Sequence, residues 1–164
     1  MAKGDALPVG DEATRWVKRK FVGRDDNDQV IVDGNGRPTT VAPAAFELRD
    51  DEDALSVTWL QHFGPARAEH LPLAAEAVRV TQDSQKLSPQ SAFVVGQVSA
   101  VISAGQDAGS KLRILHDPID GNEGHTEIRR FPRDVGLLQT TLASEVFAER
   151  HLYDDVRKDG WQPE

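Results

Sequence analysis

Short runs of alternating apolar and polar residues predict strands in the first third of the chain. A β-branched run at residues 29 to 32 leads into Asp33-Gly34-Asn35-Gly36, and such a turn sequence beside apolar runs is typical of a β-hairpin. The return arm is predicted at 38 to 41, and residues 46 to 49 (FELR) are predicted as another strand. We therefore expect short antiparallel strands between residues 13 and 49.

A second hairpin is predicted between residues 111 and 130. Residues 111 to 116 and 126 to 130 alternate, and the turn-forming sequence DPIDGNEG separates them. Placing Ile114 opposite Ile128 matches apolar residues on one face, whereas a shift by one residue places Ile114 opposite Glu127. The first register is therefore favoured. A further strand is predicted near Phe93.

Helical spacing of apolar residues predicts the remaining elements. Residues 55 to 63 have apolar side chains at helical intervals after a run of carboxylates, although 55 to 59 also alternate as a strand does. Helices are also expected at 72 to 80, near 99 to 104, and from 135 to 156 with Asp134 as N-cap. The last is the longest apolar stripe in the sequence, and its inner face is predicted to hold Leu138, Leu142, Val146 and Leu152 or Tyr153.

These elements predict a single α+β domain. Its strands are short and antiparallel, and a long C-terminal helix packs with two or three shorter helices on one face of the sheet. The boundaries expected are a mobile tail at 1–13, the domain at 14–158 and a second tail at 159–164. A chain of 164 residues has room for one domain of ordinary size.

Composition narrows the function classes. The formal net charge is −8, which argues against nucleic-acid binding by bulk charge. The sequence contains no cysteine, so disulfides, thiolate metal sites and cysteine nucleophiles are excluded and any metal would need His, Asp or Glu ligands. No two histidines have the i and i+4 spacing of a helical zinc site, and no cofactor or metal is expected. No apolar stretch has the length of a membrane span or of a secretory signal, and a cytoplasmic location is expected. The oligomeric state is not determined by these features.

The loop of the second hairpin carries the candidate catalytic residues. In the favoured register Asp117 and His125 lie on the same face of the hairpin, whereas His116 lies on the other. A carboxylate that orients an imidazole makes it a general base, and the alternative is that Asp117 and His125 cap the loop. In the catalytic interpretation the protein is a metal-independent hydrolase or transferase of a nucleotide or phosphoester. His116 is then a second acid or a ligand contact, and Arg129 or Arg130 binds the anion.

The charge distribution supports a different hypothesis. Carboxylates cluster at 50 to 53 and in the loop at 117 to 127, and an acidic surface attracts a basic partner. The leading prediction from sequence is a non-enzymatic interaction protein that neutralises or regulates a basic protein. Its predicted partner-binding residues are Asp50, Asp51, Glu52 and Asp53. The basic stretch from Arg15 to Arg24 is interpreted as a solvated edge strand, with an acidic or nucleic-acid partner as the alternative.

Four short runs carry a family resemblance. The runs FELR at 46 to 49 and LSVTWL at 55 to 60, with HDP at 116 to 118 and HTEI at 125 to 128, resemble segments of small uncharacterised bacterial and phage-encoded proteins. The resemblance covers residues 46 to 130. It implies a bacterial or phage source and no particular activity.

Overall fold

Six antiparallel strands form one sheet in the computed structural model of the chain, which describes residues 1–82, 87–134 and 136–157. The strands are β1 (Glu12–Val17), β2 (Leu55–Trp59), β3 (Ala92–Gln97), β4 (Arg113–His116), β5 (His125–Arg129) and β6 (Glu149–Leu152). Their order across the sheet is β4-β5-β2-β1-β3-β6. This arrangement confirms the α+β class.

Helices cover both faces of the sheet. The α-helices are α1 (Arg67–Thr81), α2 (Val98–Asp107), α3 (Leu137–Thr141) and α4 (Tyr153–Val156), and 3-10 turns occupy Arg19–Phe21, Pro43–Phe46 and Leu60–Phe63. Neighbouring residues of β3 point to opposite faces: Phe93 packs with Ala75 of α1, and Val94 packs with Val101 of α2. The expectation that the helices lie on one face is therefore wrong, because a six-stranded sheet with apolar residues on both faces needs cover on each.

The predicted helix at 55 to 63 is a strand followed by a turn. Leu55–Trp59 forms β2 between β1 and β5, and Leu60–Phe63 is a 3-10 turn. Leu55 and Val57 are buried while Ser56 between them is exposed. The alternation of residues 55 to 59 correctly predicts this strand, because pairing with two neighbouring strands outweighs helical spacing.

The prediction of a long C-terminal helix is also wrong. Its predicted start at Val135 lies outside the described residues. The described part consists of α3, a π-helical turn at Leu142–Val146, the strand β6 and the short helix α4. β6 pairs with β3 at four positions, and this pairing satisfies backbone groups on a strand edge that would otherwise lack partners.

Both predicted turns are present. Gly36 N donates to Asp33 O over 3.0 Å and Val32 bridges Pro38, although this hairpin forms isolated bridges rather than strands. Residues 46 to 49, expected to form a strand, include only the end of a 3-10 turn at Phe46. In the second hairpin Ile114 lies opposite Ile128, so the predicted register is confirmed.

The N-terminal residues are part of the domain. Leu7 is buried, and its N–H donates to Ile114 O over 3.0 Å while His116 N donates to Asp5 O over 2.9 Å. This segment therefore pairs along β4, and the predicted tail at 1–13 is wrong for these residues. The predicted tail at 159–164 lies outside the described residues.

The basic stretch from Arg15 to Arg24 does not form an edge strand. It begins in β1, which lies between β2 and β3 in the interior of the sheet. Arg19 and Arg24 each form an ion pair with Asp28, and Trp16 packs with the cluster beneath α1. Much of the stretch is therefore used in internal contacts.

Within the described ranges, no helix combines the length and the apolar composition needed to cross a membrane.

Candidate functional site

His125 and Asp117 form a pair at the end of the second hairpin. The Nδ1 atom of His125 lies 2.8 Å from the main-chain oxygen of Asp117 and 3.3 Å from its carboxylate Oδ2. Both side chains are largely buried, with 14% of each exposed. Because a carbonyl oxygen only accepts hydrogen bonds, Nδ1 is the donor in this contact, and in the tautomer with one proton on Nδ1 the Nε2 atom can accept a hydrogen bond.

Ser56 lies on the other side of the same imidazole. Its Oγ is 3.2 Å from His125 Nε2, so the hydroxyl donates to the nitrogen that carries no proton. β2 and β5 are neighbours, with Thr58 opposite His125, and this register places Ser56 diagonally across from the histidine. The result is a Ser–His–Asp chain in which each member contacts the next.

A buried amide holds the loop that carries Asp117. Asn122 is 2% exposed, and its Nδ2 donates to Thr58 Oγ1 over 3.0 Å. Its Oδ1 accepts from Gly124 N over 3.1 Å. Because Thr58 and Ser56 point to the same face of β2, this bond fixes the loop relative to the strand that carries Ser56.

The chain of three residues borders a groove of about 620 Å³. β1 and β2 pair at only two positions, Ala13–Trp59 and Thr14–Thr58, and the groove lies where the two strands separate. Its walls come from the segment 44 to 52, the end of α1 and the loop at 119 to 122, and both Ser56 and His125 line it. The volume is in the range of small-molecule sites.

His116 lies on the opposite face of the hairpin from His125, as the register predicted. Its ring packs edge-on to Trp59, with 5.5 Å between ring centres, and lies 6.3 Å from the ring of His62. Burial lowers the pKa of His116, and the nearby His62 lowers it further. His116 thus packs among the rings of Trp59 and His62 and does not meet the Ser56 hydroxyl.

The predicted anion-binding residues Arg129 and Arg130 are not among the described residues that line the groove. Arg129 Nε lies 2.8 Å from Glu127 Oε2 at the end of β5. Arg130 is exposed beyond the strand, with a φ of 61°. Arg15 is one of the cations that do line the groove, and its Nη1 donates to Ser56 O over 2.7 Å.

The predicted partner-binding carboxylates are partly paired inside the protein. Glu52 Oε1 lies 3.2 Å from Arg49 Nε, and Asp53 Oδ1 lies 3.6 Å from Arg133 Nη2. The side chains of Asp50 and Asp51 are exposed. This segment therefore presents its aspartates to solvent while arginines reduce its net charge.

No cluster of three or more His, Asp or Glu side chains suited to a metal ion occurs in the part of the chain that the structure describes.

Comparison with known proteins assigns no family and no function to the chain. The chain matches no protein-family model, no curated protein and no solved structure.

Ser56 is the member of this contact chain that sequence reasoning missed. It is 69 positions from His125 in the chain and is not part of a Gly-x-Ser-x-Gly motif. The available signal was the alternation of residues 55 to 59, which places a small polar side chain between buried Leu55 and Val57. Only the pairing of β2 with β5 joins that serine to the histidine.

Proposed function

We propose that the protein is a metal-independent hydrolase or transferase that acts on a small ester, with Ser56 as nucleophile. The observation that carries the proposal is the chain of contacts from Asp117 through His125 to Ser56 at the edge of a groove. A serine activated by a neutral histidine is the arrangement used for acyl transfer. This added serine favours a carboxylic ester over the nucleotide or phosphoester expected from sequence.

Each residue has a defined role in the proposed reaction. Ser56 Oγ attacks the ester carbonyl carbon, and His125 Nε2 takes the hydroxyl proton. The same imidazole then gives this proton to the leaving alkoxide, and water or a second alcohol releases the acyl group from Ser56 by the reverse sequence. Asp117 keeps the proton on Nδ1 and stabilises the imidazolium that forms during each transfer.

Covalent labelling tests the nucleophile directly. A fluorophosphonate should form one adduct on the folded protein, and peptide mapping by mass spectrometry should place it on Ser56, because the reagent reacts with activated serines. Ser56→Ala should remove the adduct. Ser144→Ala is the matched control, since Ser144 is exposed and its hydroxyl donates to Thr140 O of its own helical turn over 2.8 Å. This variant should be labelled as the wild type is.

The outcomes of this experiment separate the alternatives. Absence of an adduct, or an adduct on another residue, would contradict the assignment of Ser56. Hydrolysis of p-nitrophenyl phosphate but not of p-nitrophenyl acetate would return the substrate class to phosphoesters.

A second proposal keeps the acidic surface as a docking site for a basic protein in a bacterial or phage-infected cytoplasm. It is supported by the exposed aspartates Asp50, Asp51 and Asp53 in a chain of net charge −8. A partner retained from the native host at low salt should elute as NaCl rises, and a triple Asp→Asn variant at these positions should not retain it. Retention that is independent of salt, or equal retention by the variant, would refute this proposal.

A further inference from the structure

Arg15 lines the groove and forms no ion pair with a carboxylate of the described residues. β1 pairs with β3 along its whole length but with β2 at only two positions, and the Arg15 side chain spans the resulting gap. Its Nε donates to Ala45 O over 2.8 Å and its Nη1 to Ser56 O over 2.7 Å. Among the described residues, none of the ion pairs with an N···O distance up to 4.0 Å includes Arg15.

These contacts leave donors available. A guanidinium has N–H groups on three nitrogens in one plane, and only Nε and one hydrogen of Nη1 are used by described residues. The Phe46 ring lies 5.8 Å from the guanidinium carbon and restricts how the group turns. The remaining donors therefore have a restricted plane and are not used by a carboxylate of the described residues.

The charge of Arg15 is retained despite partial burial. Desolvation lowers its pKa to about 10, and the charge of Glu52 opposes this shift. The guanidinium therefore stays protonated at neutral pH. A desolvated cation whose described partners are neutral carbonyls gains strongly from an anion that reaches it.

The groove as a whole differs in charge from the rest of the protein. Its described lining includes the cations Arg15, Lys18, Lys20 and Arg49 and the carboxylates of Glu47, Asp50 and Glu52. Arg49 and Glu52 neutralise each other, and Lys20, Glu47 and Asp50 are exposed, which leaves Arg15 and Lys18 as the partly buried charges. In a chain of net charge −8, this lining favours a ligand with an anionic group that lies on the floor.

We propose that Arg15 binds an oxyanion, either a carboxylate or a phosphate group, on the ester that Ser56 attacks. That the bound ligand is a substrate rests on the proposed function. That Arg15 binds an anion is a separate claim. The planar fork of a guanidinium matches two oxygens of either anion, and Arg15 already contacts the main chain of Ser56. Both residues line the same groove, so an anion bound at Arg15 shares that groove with the nucleophile.

Titration of the wild-type protein tests the binding without a substitution. Succinate and inorganic phosphate are added separately to ¹⁵N-labelled protein, with sodium chloride of equal ionic strength as reference. We expect saturable shifts of the Arg15 Nε–H signal and of the Ser56 amide with one or both anions, and the anion that saturates at lower concentration identifies the group. Shifts confined to Arg129 and Arg130, or shifts equal to those in chloride, would overturn the proposal.

Two variants then measure the contribution of the side chain. Arg15→Gln should weaken binding of the preferred anion at least about tenfold, because a charge-assisted bond is lost, and Arg15→Lys should weaken it less. Arg150→Gln is the matched control. Arg150 also donates to main-chain carbonyls, Thr39 O and Ala143 O, each over 3.0 Å. It is not among the described residues that line the groove. Equal affinity in Arg15→Gln and Arg150→Gln would refute the role of Arg15.

The failure of this inference can be told from the failure of the proposed function. If Ser56 is labelled by the fluorophosphonate but neither anion binds at Arg15, the nucleophile stands and the anion site is wrong. If an anion binds at Arg15 but Ser56 is not labelled, the groove is a binding site and the hydrolase is wrong.

Discussion

Replacing His125 by alanine should lower kcat/KM for p-nitrophenyl acetate by about 10³-fold, within the range of general-base catalysis. The reason is that His125 Nε2 is the acceptor for the Ser56 hydroxyl, which is a poor nucleophile while it keeps its proton. The measurement is steady-state hydrolysis at neutral pH, at a temperature where circular dichroism shows the variant to be folded.

His151→Ala is the matched control for this experiment. His151 Nε2 lies 2.9 Å from a carboxylate oxygen of Glu149, and its side chain is 16% exposed, close to the 14% of His125. Both substitutions remove an imidazole from a similar environment, and each should lower the free energy of unfolding by about 1 kcal/mol for a lost hydrogen bond. Only His125→Ala should lose activity; a rate near that of the control would mean that His125 merely caps its loop.

Replacing Phe147 by alanine should lower the free energy of unfolding by about 3–5 kcal/mol, as for other buried aromatic residues. The Phe147 ring is fully buried, with its centre 5.0 Å from that of Phe46. It also packs against the backbone of β3, since a Cβ placed on Gly96 would lie 3.1 Å from the ring. Little of this space can be filled by neighbouring side chains, so a cavity remains after the substitution. Urea unfolding measures the change.

Leu137→Ala is the control for Phe147, because Leu137 is 63% exposed and its loss should change stability by no more than about 0.5 kcal/mol. The comparison also tests the C-terminal architecture. A continuous helix from 135 to 156 would bury Val146 rather than Phe147. A loss below about 1 kcal/mol for Phe147→Ala would contradict the packing described here and favour that helix.

The pattern of apolar and polar residues was sufficient to predict structure where the contacts are between neighbouring segments of the chain. The register of the second hairpin follows from matching Ile114 with Ile128, because a slip by one residue would expose one face of apolar side chains. The same register placed Asp117 beside His125 and turned His116 away from both. Asp33-Gly34-Asn35-Gly36 likewise formed its turn from local backbone preferences.

Segments that pair with distant parts of the chain were decided by tertiary structure. Helical spacing at 55 to 63 and at 135 to 156 predicted helices, but β2 lies between β1 and β5, and β6 completes the edge of β3. The free energy of satisfying strand backbones and of covering both faces of the sheet exceeds the preference of an isolated segment for helix.

The candidate site divides in the same way. The sequence by itself brought together Asp117 and His125, because they flank one short loop. It could not supply Ser56 or Arg15, since the first reaches His125 through the pairing of β2 with β5 and the second enters the groove only where β1 and β2 separate. These contacts join residues far apart in the chain, and their positions follow from strand order, which alternation within a single segment does not determine.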